Sequence, residues 1–428
     1  MRILVTGTNG FIAREIIARL ASADHEIIAC IHNKELNNIP YSKSFRKNFT
    51  QATTPADWLP HLKNIDVIIN CVGVFHTVKE KTIWTIHYSA PKALFDAALK
   101  QGVKKIIQIS ALGVDKVNVP YAASKLALDN YIESLDIESV IIRPGLVYGK
   151  GSYGGSSLFR GLAGFPFMIP MPGAGKTLQQ PIHMDDLTAI VEKALTIPGK
   201  EIITAVGEEQ ISIKNLLTKL RAWLGFKKGW SFAVPNLFIH LASKIGNCIP
   251  NSPLSETGTK MMSVDNVASV TESTHLKRIT GLKPRGLTEG LNGMVSSVQD
   301  RWHARLYFLR PMLRLSIAFI WLFSGLLSFL PLSLPYSHTI LTEASVPSAF
   351  QCFIILLFGS IDILLGLATL FNYRLMLIGF LQCLMIAFYT LVISILLPTY
   401  WLYPFAPIAK NIPILVAILT MMALESDR

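Results

Sequence analysis

Short apolar runs alternate with stretches of helical periodicity over the first 150 residues of the chain. Strand-like runs fall at residues 2–5, 26–31, 66–72, 104–109 and 139–142, and helical stretches at 11–21, 90–101 (closed by Gly102) and 121–135. Strands that alternate with helices in this way are typical of a parallel sheet covered on both faces. The pattern therefore predicts an α/β fold with a Rossmann-type, doubly wound sheet.

The hydrophobic pattern changes twice further along the chain. Residues 149–176 are rich in Gly and Pro and indicate loop and a short helix, and residues 177–300 mix short helices and strands. We interpret this region as a small cap on the substrate side, over the carboxyl ends of the strands, where doubly wound sheets bind ligands.

Four apolar stretches follow, at residues 313–330, 350–370, 375–397 and 408–424. The first three approach the ~20 residues that cross a bilayer, while the last is shorter and contains Pro413. A buried soluble bundle is the alternative, but runs that are apolar all round favour an all-α, four-helix transmembrane domain. The predicted domains are 1–160 (dinucleotide binding), 161–300 (cap), 301–312 (basic linker) and 313–428 (membrane domain).

Composition and charge support a membrane location. Hydrophobic residues make up 51% of the 428 and charged residues 16%, against roughly 25% charge in soluble domains. The net charge of +12 is diffuse, and no basic motif is interleaved with aromatics, so nucleic-acid binding is not expected. The densest basic cluster precedes the first apolar stretch, and residues 331–348 lack Lys and Arg. That cluster consists of Arg301, His303, Arg305, Arg310 and Arg314.

These charges predict a multi-pass protein of the inner or plasma membrane with both termini in the cytoplasm. Because the chain opens directly on a strand, no cleavable signal peptide is expected. The five cysteines form no CxxC pair, which is typical of buried thiols in a reducing compartment, and no metal site is predicted.

A glycine-rich turn, Thr6-Gly7-Thr8-Asn9-Gly10-Phe11-Ile12-Ala13, joins the first predicted strand to the first helix. Gly7 permits the tight turn, and Gly10 lets the backbone approach a pyrophosphate at the positive end of the helix. Ala13 stands at the third small position of the fingerprint. In this context the turn predicts binding of a nicotinamide dinucleotide.

The end of the second strand bears on the choice of cofactor. It reads Ile31-His32-Asn33-Lys34, without the acid that would bond a ribose 2′-hydroxyl. Arg14, His32 and Lys34 could instead pair with a 2′-phosphate, which favours NADP(H) over NAD(H). The alternative is that they are ordinary surface cations.

Tyr121 and Lys125 lie four residues apart and so share one helix face. An ammonium beside a phenol favours the phenolate and lowers the pKa of the phenol. Such a Tyr can exchange a proton with an alcohol or carbonyl while a hydride moves to or from nicotinamide. By itself this spacing is more often a surface pair.

The ordered motifs resemble the short-chain dehydrogenase/reductase superfamily over about residues 1–300, in its extended and atypical types. Epimerase/dehydratase-like proteins and the nucleotide-binding accessory subunit of respiratory complex I are the closest of these. The motifs are the glycine turn, Asn70-x-x-Gly73, Tyr121-x-x-x-Lys125, Arg143-Pro144-Gly145 with Tyr148-Gly149, and Pro181-Ile-His183-Met-Asp185-Asp186.

The resemblance implies roles for individual residues. Tyr121 would be the acid/base, Lys125 would bind ribose hydroxyls, and His183 and Asp186 would anchor the cap or form a structural hydrogen-bond pair. The pyrophosphate would lie on Gly7, Thr8, Asn9, Gly10, Phe11 and Ile12, and the nicotinamide side between Cys71, Val72, Gly73 and Pro144, Gly145, Leu146, Val147.

The chain departs from the family at two places. The family's catalytic Ser or Thr lies just after the strand that ends at Ile109, and here Ser110 comes one or two positions early, so Ala111 or Leu112 occupies the catalytic place. We keep Ser110 as a candidate catalytic residue. The acid that contacts adenine after the third strand is replaced by Asn48.

Residues 311–428 resemble the small DoxX-like membrane family through Pro404-Phe-Ala-Pro407-Ile-Ala-Lys410-Asn411-Ile-Pro413. Asp362 lies within the second apolar stretch, where a carboxylate indicates a functional site or a helix–helix hydrogen bond. Four spans exceed what an anchor needs, which motivates a lipid-soluble substrate.

Together these features predict a membrane-bound NAD(P)-dependent oxidoreductase or epimerase/dehydratase-like enzyme that acts on an alcohol or carbonyl of a small or lipidic substrate. The first alternative is a non-catalytic NADPH-binding subunit, for assembly or redox sensing, of a membrane complex with a protein partner. A transporter with a regulatory nucleotide domain is weaker, because only Asp362 indicates a polar pathway.

Overall fold

The computed structural model describes residues 1–32, 38–247, 252 and 254–425. Contacts between Cα atoms divide the chain into two compact units, Met1–Arg305 and Leu306–Arg428. Each unit is described by itself.

The first unit is built on a seven-stranded parallel sheet in the order β11-β6-β5-β4-β1-β2-β3. Its strands are rich in Ile and Val, as expected of strands buried on both faces. The predicted Rossmann-type sheet is confirmed. The bounds are β1 Arg2–Thr6, β2 Glu26–Ile31, β3 Lys43–Arg46, β4 Val67–Asn70, β5 Lys105–Ile109, β6 Glu138–Pro144 and β11 Lys200–Ala205.

Helices cover both faces of this sheet. Alternate side chains of β1 enter different cores: Ile3 and Val5 pack with the helix that follows β1, and Leu4 packs on the opposite face with Trp58 and Phe95. The helices of the first unit are α1 Phe11–Ser22, α2 Glu80–Trp84, α3 Ala90–Gln101, α4 Pro120–Ser134, α5 Gly155–Ala163, α6 Met184–Ala194, α7 Ile213–Trp223, α8 Asn236–Asn247, α9 Glu256–Met262, α10 Val270–Thr280 and α11 Leu287–Asn292.

Three two-stranded sheets lie between residues 147 and 234, and all but the first of their strands fall within the predicted cap. They pair β7 Val147–Tyr148 with β10 Ile182–His183, β8 Met168–Pro172 with β13 Trp230–Val234, and β9 Leu178–Gln179 with β12 Ile211–Ser212. Strand β8 corrects the prediction of loop and short helix for 149–176. Its short run contains two prolines, so it has no clear strand pattern, and pairing with a strand about 60 residues later defines it.

The second unit is all-α, although it differs from the prediction of four spans. Within the described residues, three helices are long and apolar enough to cross a membrane, namely α12, α14 and α15. The fourth predicted span is α16, whose 15 residues extend about 22 Å, and Pro413 lies in its first turn, where it does not break the helix. The bounds are α12 Val298–Leu327, α13 Leu334–Glu343, α14 Ser348–Leu370, α15 Leu375–Leu396 and α16 Asn411–Glu425.

Helices α12, α14 and α15 meet around Asp362, which is 6% exposed. Ser324 Oγ donates a hydrogen bond to its Oδ2 over 2.9 Å, and Tyr389 OH donates to Oδ1 over 3.1 Å. A Cβ on Gly325 would lie 2.6 Å from the carbonyl oxygen of Gly359, so small residues let α12 and α14 approach closely. The carboxylate therefore joins three helices, which matches the helix–helix alternative for Asp362.

Candidate active site

The turns after β1 and β4 contact each other at the carboxyl edge of the sheet. Gly7 has a φ of +69°, and a Cβ there would lie 3.0 Å from the Cys71 carbonyl and from Val72 N. Only glycine combines this left-handed backbone with so close an approach. The contact brings the glycine turn next to Cys71 and Val72, which the resemblance assigns to the nicotinamide side.

The amino end of α1 leaves room for a phosphate. Gly10 is its N-cap residue, no side chain caps the helix, and Gly10 N donates to Gly7 O over 2.8 Å. Uncapped N–H groups at a helix start form an anion site, and the absence of a Cβ at Gly10 keeps the backbone accessible. Ala13 is buried in the core, so its side chain packs the helix against the sheet and does not face the phosphate position. These residues fit a dinucleotide pyrophosphate.

A ladder of buried polar side chains braces the ends of three neighbouring strands. Thr6 Oγ1 donates to Asn70 Oδ1 over 2.6 Å, and Asn70 Nδ2 donates to Gln108 Oε1 over 2.7 Å. Gln108 Nε2 then donates to the Ile109 carbonyl over 3.1 Å. Because each member is satisfied, the ladder stabilises the edge on which the site is built.

Lys125 lies beneath this edge, on α4. Its Nζ donates to the Ile109 carbonyl over 3.0 Å and lies 3.7 Å from where a Cβ on Gly73 would be. Burial lowers the pKa of Lys125 to about 8, although the nearby Asp129 carboxylate opposes the shift. The ammonium thus points at the backbone segment assigned to the nicotinamide side.

Tyr121 lies one helical turn before Lys125, with its ring among aromatic neighbours. The ring centroid is 5.1 Å from that of Phe75 and 5.5 Å from that of His87. The prediction that Lys125 lowers the pKa of Tyr121 is wrong for this arrangement, since burial and the negative charge of Asp129 raise that pKa. Lys125 Nζ is bonded to a backbone carbonyl and lies 5.8 Å from the phenol ring centroid, so desolvation dominates.

His87 is a site residue that the sequence reasoning missed. It lies in a π-helical turn, Thr85–Ser89, between α2 and α3, and such turns are frequent at functional sites. Val74 N donates to His87 Nε2 over 3.0 Å, so Nδ1 carries the proton and donates to Ser124 Oγ over 3.0 Å. Burial and the charge of Lys125 hold the pKa of His87 well below its usual value, so the ring is neutral.

Ser110 belongs to a buried ionic cluster and is not bonded to Tyr121. Its Oγ donates to Asp129 Oδ2 over 2.8 Å, and Arg143 Nε and Nη2 each approach the same oxygen to 3.0 Å. Burial raises the pKa of Asp129 despite the Arg143 charge. A spacing of four from Lys125 on α4 was the signal that could have identified Asp129.

The two candidates for the missing hydroxyl position differ in their surroundings. Ala111 packs with Tyr121 against a cluster that includes Val114, whereas Leu112 is buried against Val206 in a separate cluster. Of the two, Ala111 is therefore the one that packs against the same cluster as Tyr121.

Residues 144–147 form the connection from β6 to β7. Leu112 N donates to the Pro144 carbonyl, and Gly145 N donates to Ala205 O, both over 3.0 Å. A Cβ on Gly145 would lie 2.3 Å from Gln180 O, so this glycine serves close backbone packing. Leu146 and Val147 follow and are half-buried.

The residues considered for the adenosine half of the cofactor lie in α1 and in the chain segments after β2 and β3. Arg14, in the first turn of α1, and His32, directly after β2, are both exposed, while Lys34 lies outside the described residues. Asn48 Oδ1 accepts hydrogen bonds from Thr50 N over 3.0 Å and Thr50 Oγ1 over 2.8 Å, so it closes a turn after β3.

His183 and Asp186 have separate structural roles and do not pair with each other. His183 caps α6 by accepting a hydrogen bond from Asp185 N over 3.2 Å. Asp186 binds Arg285 Nη2 over 2.9 Å and Arg285 N over 3.0 Å. Asp186 thereby joins α6 to the segment between α10 and α11.

Comparison with known proteins finds a matching family model in each part of the chain. Residues 3–204 match the model of the NAD dependent epimerase/dehydratase family, and residues 318–419 match the DoxX-like family. The resemblance inferred from the motifs is confirmed for both regions.

Two curated relatives cover limited stretches. The mitochondrial protein fmp-52 of Neurospora crassa is 36% identical over 86 residues, 18% of this chain and 36% of that protein. Ceramide reductase of Caulobacter vibrioides is 22% identical over 189 residues, 44% of this chain and 58% of that enzyme. The chain thus spans about a third to just over half of the length of these relatives.

A solved structure with the same fold is UDP-glucuronic acid 4-epimerase from Bacillus cereus, in complex with UDP-glucuronic acid and NAD. It superposes with a TM-score of 0.52 at 20% sequence identity, covering 68% of this chain and 97% of that one. This likeness establishes the fold. The Bacillus cereus protein with this fold is in complex with NAD.

Proposed function

We propose that this chain, with an N-terminal domain of the NAD dependent epimerase/dehydratase type and a C-terminal DoxX-like domain, is a membrane-bound oxidoreductase that interconverts a carbonyl and an alcohol on a lipidic substrate. The observation that carries the proposal is the meeting of Gly7, Gly73, Lys125 and Tyr121 at one edge of the sheet. We further propose that this domain and both termini are cytoplasmic.

The residues of the chain divide the work of such a site. The Gly7–Gly10 turn and the start of α1 bind the pyrophosphate, and Lys125 holds ribose hydroxyls. The dinucleotide, when bound, supplies or accepts the hydride. Tyr121 donates a proton to the carbonyl oxygen or accepts one from the alcohol, and neutral His87 keeps the adjoining loop in place through Val74 N.

NADP(H) is the proposed cofactor preference. His32 directly follows β2, where an acid would select NAD(H), and Arg14 is exposed in the first turn of α1. A lipidic substrate is supported by the membrane-capable helices in the same chain and by the ceramide reductase among its relatives.

The test is turnover by the purified full chain in lipid nanodiscs, with NADPH and NADH compared by their nicotinamide absorbance. Long-chain ketones are offered beside water-soluble ketones with the same head group. We expect NADPH oxidation that is at least roughly tenfold faster, as kcat/KM, with the long-chain ketones, because apolar burial contributes binding. Equal rates would contradict a lipidic substrate.

A second candidate function, a non-catalytic NADPH-binding subunit, is favoured by the position of Ser110. Its hydroxyl is committed to Asp129, and Ala111, which packs against the same cluster as Tyr121, has no hydroxyl. We therefore infer that one donor to the substrate oxygen is missing. Bound NADPH without turnover on any ketone would select this candidate.

An Ala111→Ser variant separates the two candidates. We expect the added hydroxyl to raise kcat by up to about 10²-fold if the site is catalytic, because a donor to the substrate oxygen is restored. The measurement is kcat with the best ketone, with Leu112→Ser as the matched control, which places a hydroxyl in a different buried cluster. An unchanged kcat in a folded Ala111→Ser protein would mean that the chain does not use this position.

A further inference from the structure

Helix α8 presents its large apolar side chains to the outside of the first unit. Leu237, Phe238, Leu241 and Ile245 are 48–66% exposed and fall on one stripe of the helix. On the opposite side, Ser243 and Gly246 are buried, and a Cβ on Gly246 would lie 2.6 Å from Leu254 O. A helix that packs on water-soluble protein alone has the reverse arrangement, with its large apolar residues inward.

Further exposed apolar side chains lie on β13, the strand that directly precedes α8 in the chain, and next to its paired strand. Trp230 and Phe232 on β13 are 74% and 48% exposed, and Phe167, which precedes the paired strand β8, is 83% exposed. Large exposed apolar side chains, several of them aromatic, are typical of an interaction site. We call these side chains, together with the stripe on α8, the α8–β13 surface.

Positive charge accompanies the apolar residues. Lys227 and Lys228 are exposed just before β13, and His240 is exposed along one flank of the apolar stripe. Helices that lie in the interface of a bilayer typically expose large apolar side chains such as Trp and Phe next to Lys. The buried side of α8 carries small residues, namely Ser243 and Gly246. Anionic lipid head groups complement this charge.

We propose that the α8–β13 surface lies in the lipid interface, with the side chains of Phe238 and Leu241 among the acyl chains and the lysines among anionic head groups. The same chain contains three helices able to cross a membrane, so the bilayer is always present at high effective concentration. Because of this tether, an apolar surface that is too small to anchor a protein by itself can still bind lipid.

The surface also adjoins the candidate active site. His76, in the loop that follows β4, contacts the Asn247 carbonyl at the end of α8 through Nε2 over 2.9 Å. The same loop carries Gly73, next to Lys125. Lipid contact by α8 would therefore place acyl chains beside the loop that borders the site, although the lipid contact itself does not depend on catalysis.

The experiment uses the full chain with the photo-cross-linking amino acid p-benzoylphenylalanine at position 238, reconstituted in vesicles of phosphatidylcholine and phosphatidylglycerol. Position 238 is 60% exposed, so the replacement of Phe238 leaves the core untouched. Val270, 85% exposed on α10, is the matched control position. After illumination, intact-mass and peptide analysis identify what is attached.

We expect lipid adducts at position 238 to exceed those at position 270 by at least roughly fivefold, and to decrease when phosphatidylglycerol is omitted. Adducts to a second copy of the chain, or to residues 306–428 of the same chain, would overturn the proposal in favour of a protein partner. Equal lipid labelling at the two positions would overturn it as well.

Discussion

A Tyr121→Phe variant is expected to lose about 10²–10⁴-fold in kcat on the ketone that the full chain reduces. The change removes one oxygen and leaves the ring contacts with Phe75 and His87, at 5.1 and 5.5 Å between centroids, in place. Since the phenol is the proposed proton donor, the loss should fall on kcat while the dissociation constant of NADPH changes little. Both are measured on protein in nanodiscs.

Tyr131→Phe is the control, because it removes a phenol oxygen from the same helix, α4, and from a hydrogen bond with Asp96. It should reduce stability slightly and leave kcat within about twofold, as expected of a partly exposed bond away from the site. Full activity of Tyr121→Phe would contradict an acid/base role for Tyr121.

A Gly7→Ala variant is expected to weaken NADPH binding by at least about tenfold. The new Cβ would lie 3.0 Å from backbone atoms of Cys71 and Val72, and the φ of +69° adds about 1–2 kcal/mol of strain to any other residue. Because backbone atoms cannot rotate away as a side chain can, the glycine turn and the loop after β4 must separate. Titration of nicotinamide fluorescence measures the dissociation constant.

Gly102→Ala supplies the matched control. Gly102 closes α3 with a φ of +72°, and nothing lies within 4 Å of a Cβ there. It therefore imposes the same backbone strain without a clash, and should lower the thermal midpoint while NADPH affinity is retained. Equal affinity losses in the two variants would mean that the Gly7 effect is general destabilisation, and unchanged affinity in Gly7→Ala would remove the turn from the binding site.

The two halves of the chain suit a reaction in which a soluble cofactor meets a lipid. In the first unit no side chain caps the amino end of α1, where we propose that the pyrophosphate binds, and the second unit is apolar on its outside, as a bilayer requires. If the α8–β13 surface contacts lipid as proposed, it brings acyl chains near the loop that carries Gly73, and so near the proposed cofactor site. The proposed activity and the proposed lipid contact can fail separately, because one is measured by turnover and the other by cross-linking.

The sequence by itself determined the fold class, the glycine turn and the membrane-capable region. These features depend on local periodicity and spacing, such as the Ile-rich strands of the sheet, Gly7 directly after β1, and long apolar helices. Gly102 at the end of α3 was also predictable, since helices commonly end on a left-handed glycine.

Tertiary structure decided the surroundings of the chemical groups. His87 lies 34 residues before Tyr121 in the sequence, and only the packing of the π-helical turn against α4 brings their rings together. The pKa of Tyr121 rises rather than falls because burial and the negative charge of Asp129 both raise it. Ser110 faces Asp129, and the strand β8 forms by pairing with β13. In each case the outcome depends on desolvation and on contacts between segments far apart in the chain, which periodicity does not encode.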